Sequence, residues 1–122
     1  MQEQTAAKAS VRHQDGLAIV DLPARIDSSA EQTLSDAYAE ASQGGTDRVV
    51  LNFSGVDFLS STGIALIVGL LARSRKDGRK ISSCGLSDHY REIFEITRLA
   101  DFMRIYPDER SALAGEPSGE KG

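Results

Sequence analysis

Along the chain, short β-branched apolar runs alternate with longer segments whose apolar residues recur every three or four positions. "ASVRH" (9–13) and "LAIVDL" (17–22) read as two strands separated by "QDG", where Asp15-Gly16 supplies a hairpin turn. In "IDSSAEQTLSDAYAEASQGG" (26–45), Asp27 or Ser28 can cap a helix that buries Ala30, Leu34, Ala37 and Ala41, and Gly44-Gly45 ends it. "RVVLNF" (48–53) is apolar without alternation, which predicts a central strand buried on both faces. "VDFLSSTGIALIVGLL" (56–71) then leads into a helix from about Ser61 to Arg75, stopped at Asp77-Gly78. "RKISSCG" (79–85) is a shorter strand. "SDHYREIFEITRL" (87–99) starts at the cap Ser87 and places Tyr90, Ile93, Phe94 and Thr97 on one helical face. "FMRIY" (102–106) is a last strand ended by Pro107, and "DERSAL" (108–113) a last short helix.

The order ββαβαβαβα, with helices returning between strands, calls for parallel pairs and right-handed crossovers. The expected fold is a single α/β domain over residues 9–114. It has a mixed, mostly parallel central sheet of about five strands, about four helices and one antiparallel hairpin at its start. Residues 1–8 and 115–122 ("GEPSGEKG") are polar or glycine-rich and read as flexible tails.

Composition narrows the function. Apolar residues make up 40% and charged residues 26% of 122, the balance of a soluble globular protein. Fourteen basic against 18 acidic residues give a net charge of -4, which speaks against direct nucleic-acid binding. The longest apolar run, Ile64 to Ala72, is far short of the roughly 20 residues that span a bilayer, so no membrane insertion is expected. "MQEQTAAKAS" (1–10) lacks the layout of a signal peptide, and Cys84 is the only cysteine; a cytoplasmic protein is expected.

Catalytic constellations are missing. No G-x-S-x-G surrounds the serines at 60 and 61, and His13 and His89 read as solvated polar residues rather than general bases. One cysteine and two distant histidines show no metal-ligand spacing, and there is no phosphate loop or dinucleotide fingerprint. Cys84 reads as a buried structural thiol. The chain is expected to be neither an enzyme nor a cofactor carrier.

What remains is the hydroxyl cluster Ser60-Ser61-Thr62 at a helix start, where four backbone N–H groups lack partners. It can be a helix cap, worth about 1 kcal/mol, or an acceptor for phosphate. Phe58 and Leu59 are expected to seat the loop against the core, and Gly63 to let the backbone turn tightly into the helix. Ile64, Ile67, Val68 and Leu71 form the expected core stripe. Leu66 and Leu70 then point away from it, as a candidate patch for a partner. Asp57, Ser28 and Ser29 read as turn and cap residues.

"VLNFSGVDFLSSTGIALIVGLL" (50–71) resembles the signature of STAS domains, and specifically of bacterial anti-sigma factor antagonists. Their pattern opens a helix with Asp-Ser-Ser-Gly or Asp-Ser-Thr-Gly, and Leu59 to Gly63 is similar at every place except the aspartate, which is Ser60 here. The resemblance extends from about Val11 to Leu113. It takes in "ARIDSSAEQTL" (24–34) and "HYREIFEITRLADFMRIYPDERSAL" (89–113), where Arg98 replaces a usual glycine at what reads as a helix end. It implies that Ser61 is phosphorylated by an anti-sigma factor that is also an ATP-dependent serine kinase, with Ser60 and Thr62 as alternative acceptors. Thr62 would hold the second hydroxyl position and Asp27 the acidic position near the partner surface. Asp27, Ser60, Ser61, Thr62, Gly63, Leu66 and Leu70 form the implied partner-binding set. The unphosphorylated form would bind the anti-sigma factor and free a sigma factor for transcription, as in stress responses. A serine phosphatase would restore it after release. The alternative that Ser60 leaves open is a STAS subunit of a phospholipid-transport complex or signalling scaffold that works without phosphate.

Overall fold

Val49, Val50 and Leu51 are all fully buried, and the strand they form is the centre of the sheet. The computed structural model describes residues 9–14 and 16–114, so Asp15 of the expected turn and both expected tails lie outside the described residues. β1 (Ser10–Gln14) and β2 (Leu17–Asp21) form the expected antiparallel hairpin, with Gln14 opposite Leu17. β3 is the two-residue Arg25–Ile26, and β4 is Arg48–Asn52. The two-residue β5 (Phe58–Leu59) precedes β6 (Lys80–Cys84) and β7 (Arg104–Tyr106). The main sheet has five strands in the order β1-β2-β4-β6-β7, parallel from β2 onwards, with Ile19 beside Val50 and Val50 beside Ser82. β3 and β5 pair in parallel as a separate sheet that periodicity did not predict.

Four helices cover this sheet: α1 (Glu31–Ala41), α2 (Ser61–Asp77), α3 (Asp88–Ile96) and α4 (Glu109–Ala114). One face of the sheet (Ala18, Val20, Val49, Leu51) packs with Leu34, Tyr38, Ile67, Leu71 and Phe94 from α1, α2 and α3. On the other, Leu17, Ile19, Val50 and Cys84 pack with Tyr106 and with Ala112 of α4. Strand alternation splits β4 between the two layers, which is why its sequence shows no polar face. The Arg12 guanidinium joins α4 to the hairpin, donating to Asp21 at 2.7 Å and to Glu109 at 2.8 Å. Burial pushes the Cys84 thiol up to about 11, so it stays protonated and unreactive.

Several local expectations shift. Ala30, Leu34, Ala37 and Ala41 are buried as the spacing predicts. Asp27, however, caps a 3-10 turn over Ser28–Ala30 that precedes α1, not α1 itself. Thr97 lies just beyond α3, where its hydroxyl donates to the Ile93 carbonyl at 2.8 Å instead of joining the apolar face.

Two positions carry avoidable strain. The Ser83 hydroxyl is fully buried and has no hydrogen-bond partner. Ser83→Ala removes that desolvated group and is expected to stabilise the protein by about 1 kcal/mol, read by urea unfolding. Arg98 has φ 70° just past α3, a left-handed conformation that glycine adopts without a Cβ penalty. Arg98→Gly relieves about 1 kcal/mol of backbone cost and loses an exposed ion pair with Asp101 worth about 0.5 kcal/mol. The same unfolding measurement is expected to show a small net gain, whereas the β-branched Arg98→Val is expected to destabilise.

Candidate functional site at the start of α2

The β3–β5 pair places the hydroxyl cluster. Asp57 and Phe58 N–H groups donate to the Ala24 carbonyl at 2.7 and 3.1 Å, and Ser60 N–H donates to Ile26 at 3.0 Å. From below, the Leu59 N–H donates to the Tyr90 hydroxyl of α3 at 3.0 Å. Ile26 pairs with Leu59, and its carbonyl takes the Ser60 N–H, so the β3–β5 pair fixes where the chain enters α2. Leu59 is buried as expected. Phe58 is instead 38% exposed, with the Arg25 guanidinium 4.4 Å above its ring.

The three hydroxyls divide their roles. Ser60 is the cap: its backbone is extended, and its Oγ accepts from the Gly63 N–H at 2.9 Å. Serine and aspartate are comparably good caps, so Ser60 keeps the helix start that an aspartate would provide while removing its charge. Ser61 and Thr62 are the first two helical residues, and both are exposed. Their own N–H groups have no acceptor within the helix, and the first turn contains no acid. This end of α2 therefore favours an anion, and Ser61 can accept one without disturbing the cap.

Gly63 does not act as a turn residue. It lies inside the helix, and a Cβ there would fall 2.2 Å from the Ile26 carbonyl oxygen. Glycine is required because the backbones of α2 and β3 touch.

The phase of α2 corrects the expected patch. Gly63, Ile67, Leu70, Leu71 and Ser74 form the buried stripe. Leu70 is 7% exposed and belongs to the core, so it offers nothing to a partner. Leu66 is half-buried and packs against the same core. Val68, expected inside, is 44% exposed. The helix is apolar nearly all round, so periodicity could not set its rotation; contact at Gly63 does. The outer face instead reads Ser61, Ala65, Val68 and Ala72, all exposed and at helical spacing.

Asp27, the residue after β3, is fixed and ionised. The Ser29 hydroxyl and the Ser29 N–H (3.0 Å), then Arg25 (2.9 Å), hold its carboxyl below the ordinary carboxylate value. His13 on β1 and His89 in the first turn of α3 are exposed, and neither hydrogen-bonds Ser61. Among the described residues no cluster can hold a metal, and no helix is long and apolar enough to cross a membrane.

The family model of the STAS domain matches residues 8–112. An anti-sigma-B factor antagonist of Staphylococcus aureus is 29% identical over 92 residues, 75% of this chain and 85% of that protein. The chain belongs to the STAS-domain family of anti-sigma factor antagonists. Such antagonists are non-enzymatic regulators, and so is this STAS protein. Its fold matches that of an anti-sigma-factor antagonist (STAS) domain protein from Planctomyces limnophilus, with TM-score 0.76, 25% identity, and 91% and 98% of the two chains covered. The phosphorylated form of the Bacillus cell fate determinant SpoIIAA shares the fold at TM-score 0.67 and 17% identity, covering 88% and 99%.

Proposed function

We propose that this protein is the phosphorylation-controlled antagonist of a cytoplasmic anti-sigma factor, released when that factor's serine kinase activity modifies Ser61. Unphosphorylated, it holds the anti-sigma factor through the Ser61-Ala65-Val68-Ala72 face of α2, with Asp27 and Phe58 beside it, and frees a sigma factor for transcription. A serine phosphatase resets it. The observation that carries this reading is the division of labour at the helix start. Ser60 holds the cap at 2.9 Å, and this leaves Ser61 exposed at the head of an apolar face. SpoIIAA, with the same fold, has been solved in a phosphorylated form.

The test is phosphate mapping by mass spectrometry after incubation with the cognate anti-sigma factor and ATP. One phosphate is expected on Ser61, and none in Ser61→Ala. Modification of Ser60 or Thr62 instead would move the acceptor. A second reading is a STAS subunit of a transport complex or signalling scaffold that uses the face without phosphate. The uncharged Ser60 favours it, because a kinase that reads an acid beside the acceptor finds none here. A complex with the partner that forms while no phosphate is incorporated selects that second reading.

A further inference from the structure

The parallel sheet brings four cations together at the end opposite Ser61. Arg48, Lys80 and Arg104 are each the first residue of their strand, β4, β6 and β7, and Arg48 pairs in register with Lys80. α2 runs antiparallel to these strands, so its last turn delivers Arg75 to the same end. Together they line an open cleft of about 1030 Å³. None of the four forms an ion pair among the described residues. Arg79 beside them is committed, to Asp77 at 3.3 Å and to the Thr46 and Ser42 carbonyls. The cleft is apolar as well as basic: Phe102 on its wall is 58% exposed, with the Arg75 guanidinium 5.6 Å from its ring centre. Arg48 also donates to the Ala112 carbonyl at 3.2 Å. Of the acids lining the cleft, Glu95 and Asp101, the second is paired with Arg98, so the cleft carries net positive charge in a chain of net charge -4.

We infer that this cleft is a second docking surface, which binds an acidic segment of a partner protein that also offers an apolar side chain to Phe102. Charge complementarity selects the acid, and the exposed ring selects the apolar neighbour. Nucleic acid fits less well. Backbone binding uses some 6–10 phosphate contacts along a basic track, and the rest of this surface is net acidic. The surface is independent of the site at Ser61. About 20 Å of helix separates Ser61 from Arg75, more than twice the screening length of about 8 Å at physiological salt.

The experiment is fluorescence anisotropy with a labelled glutamate-rich peptide carrying one central leucine. Saturable binding is expected, weakened roughly tenfold in the triple variant Arg75→Gln/Lys80→Gln/Arg104→Gln. Glu95 is the unpaired acid in the cleft, and Glu95→Gln is expected to tighten binding about twofold, a gain that misfolding cannot mimic. Ser61→Asp is expected to leave the affinity unchanged. No saturable binding, or undiminished binding by a triple variant with a wild-type melting curve, overturns the inference. Tighter binding of a single-stranded RNA, displacing the peptide, overturns it in favour of nucleic acid. Equal competition by inorganic tripolyphosphate reduces the cleft to a general anion site and overturns the peptide assignment.

Discussion

Gly63→Ala is expected to destabilise the protein by about 3 kcal/mol, measured as a drop in urea midpoint at unchanged slope. The glycine has helical backbone angles, so alanine's helix propensity alone would make the change favourable. Contact decides otherwise. The added Cβ would sit 2.2 Å from the Ile26 carbonyl oxygen and 2.9 Å from its carbon. Both are backbone atoms that cannot swing aside like the end of a side chain. The same carbonyl accepts the Ser60 N–H at 3.0 Å, so pushing α2 away also breaks the β3–β5 clamp on the loop. Gly69, in the same helix, has nothing within 4 Å of its Cβ position and is exposed. Gly69→Ala is therefore expected to stabilise by about 0.8 kcal/mol. Opposite signs from two glycines six residues apart locate the contact; a Gly63→Ala variant as stable as wild type would show that α2 is not seated on β3.

The same contact marks the limit of what the sequence makes legible. The central strands of the main sheet follow from their apolar runs, whereas the polar edge strand β1 follows from the turn signal before β2. The stops at Gly78 and Pro107 are local chemistry, and Ser87 caps α3 as its position before the helix implies. The two-residue strands β3 and β5 are too short to carry a period, yet their pairing fixes where Ser60 starts α2. α2 is apolar on almost every side, so its sequence fixes that it is buried and leaves its rotation open. That rotation exchanges the expected roles of Val68 and Leu70. Phe58 likewise looks like a core residue by composition, and only the Arg25 stack above it explains its partial exposure. The cap at Ser60 is legible because capping chemistry is local, whereas Asp27 caps the 3-10 turn before α1 and Gly63 is needed for packing. The docking face is not legible, since it depends on which side of α2 finds the sheet.

Phosphorylation of Ser61 is expected to weaken binding to the anti-sigma factor at least roughly a hundredfold, about 2.8 kcal/mol, while leaving the fold intact. In the free protein the added charge of about -1.5 to -2 meets two unpaired N–H groups and the positive end of α2. That environment is worth about 0.3–1 kcal/mol in its favour, so melting curves of the two forms are expected to differ little. In the proposed complex the same group would be desolvated together with the exposed Ala65 and Val68 of its face. Burial of an unmatched charge then falls on the bound state alone. Ser61→Asp is expected to reproduce part of the loss in calorimetric titration, and Ser61→Ala to bind like wild type. Thr62→Asp is the control. It sits about 100° around the helix, off the Ala65-Val68-Ala72 line, and is expected to cost less than tenfold. If Thr62→Asp weakens binding as much as Ser61→Asp, general charge on the helix end governs release, and the face led by Ser61 does not.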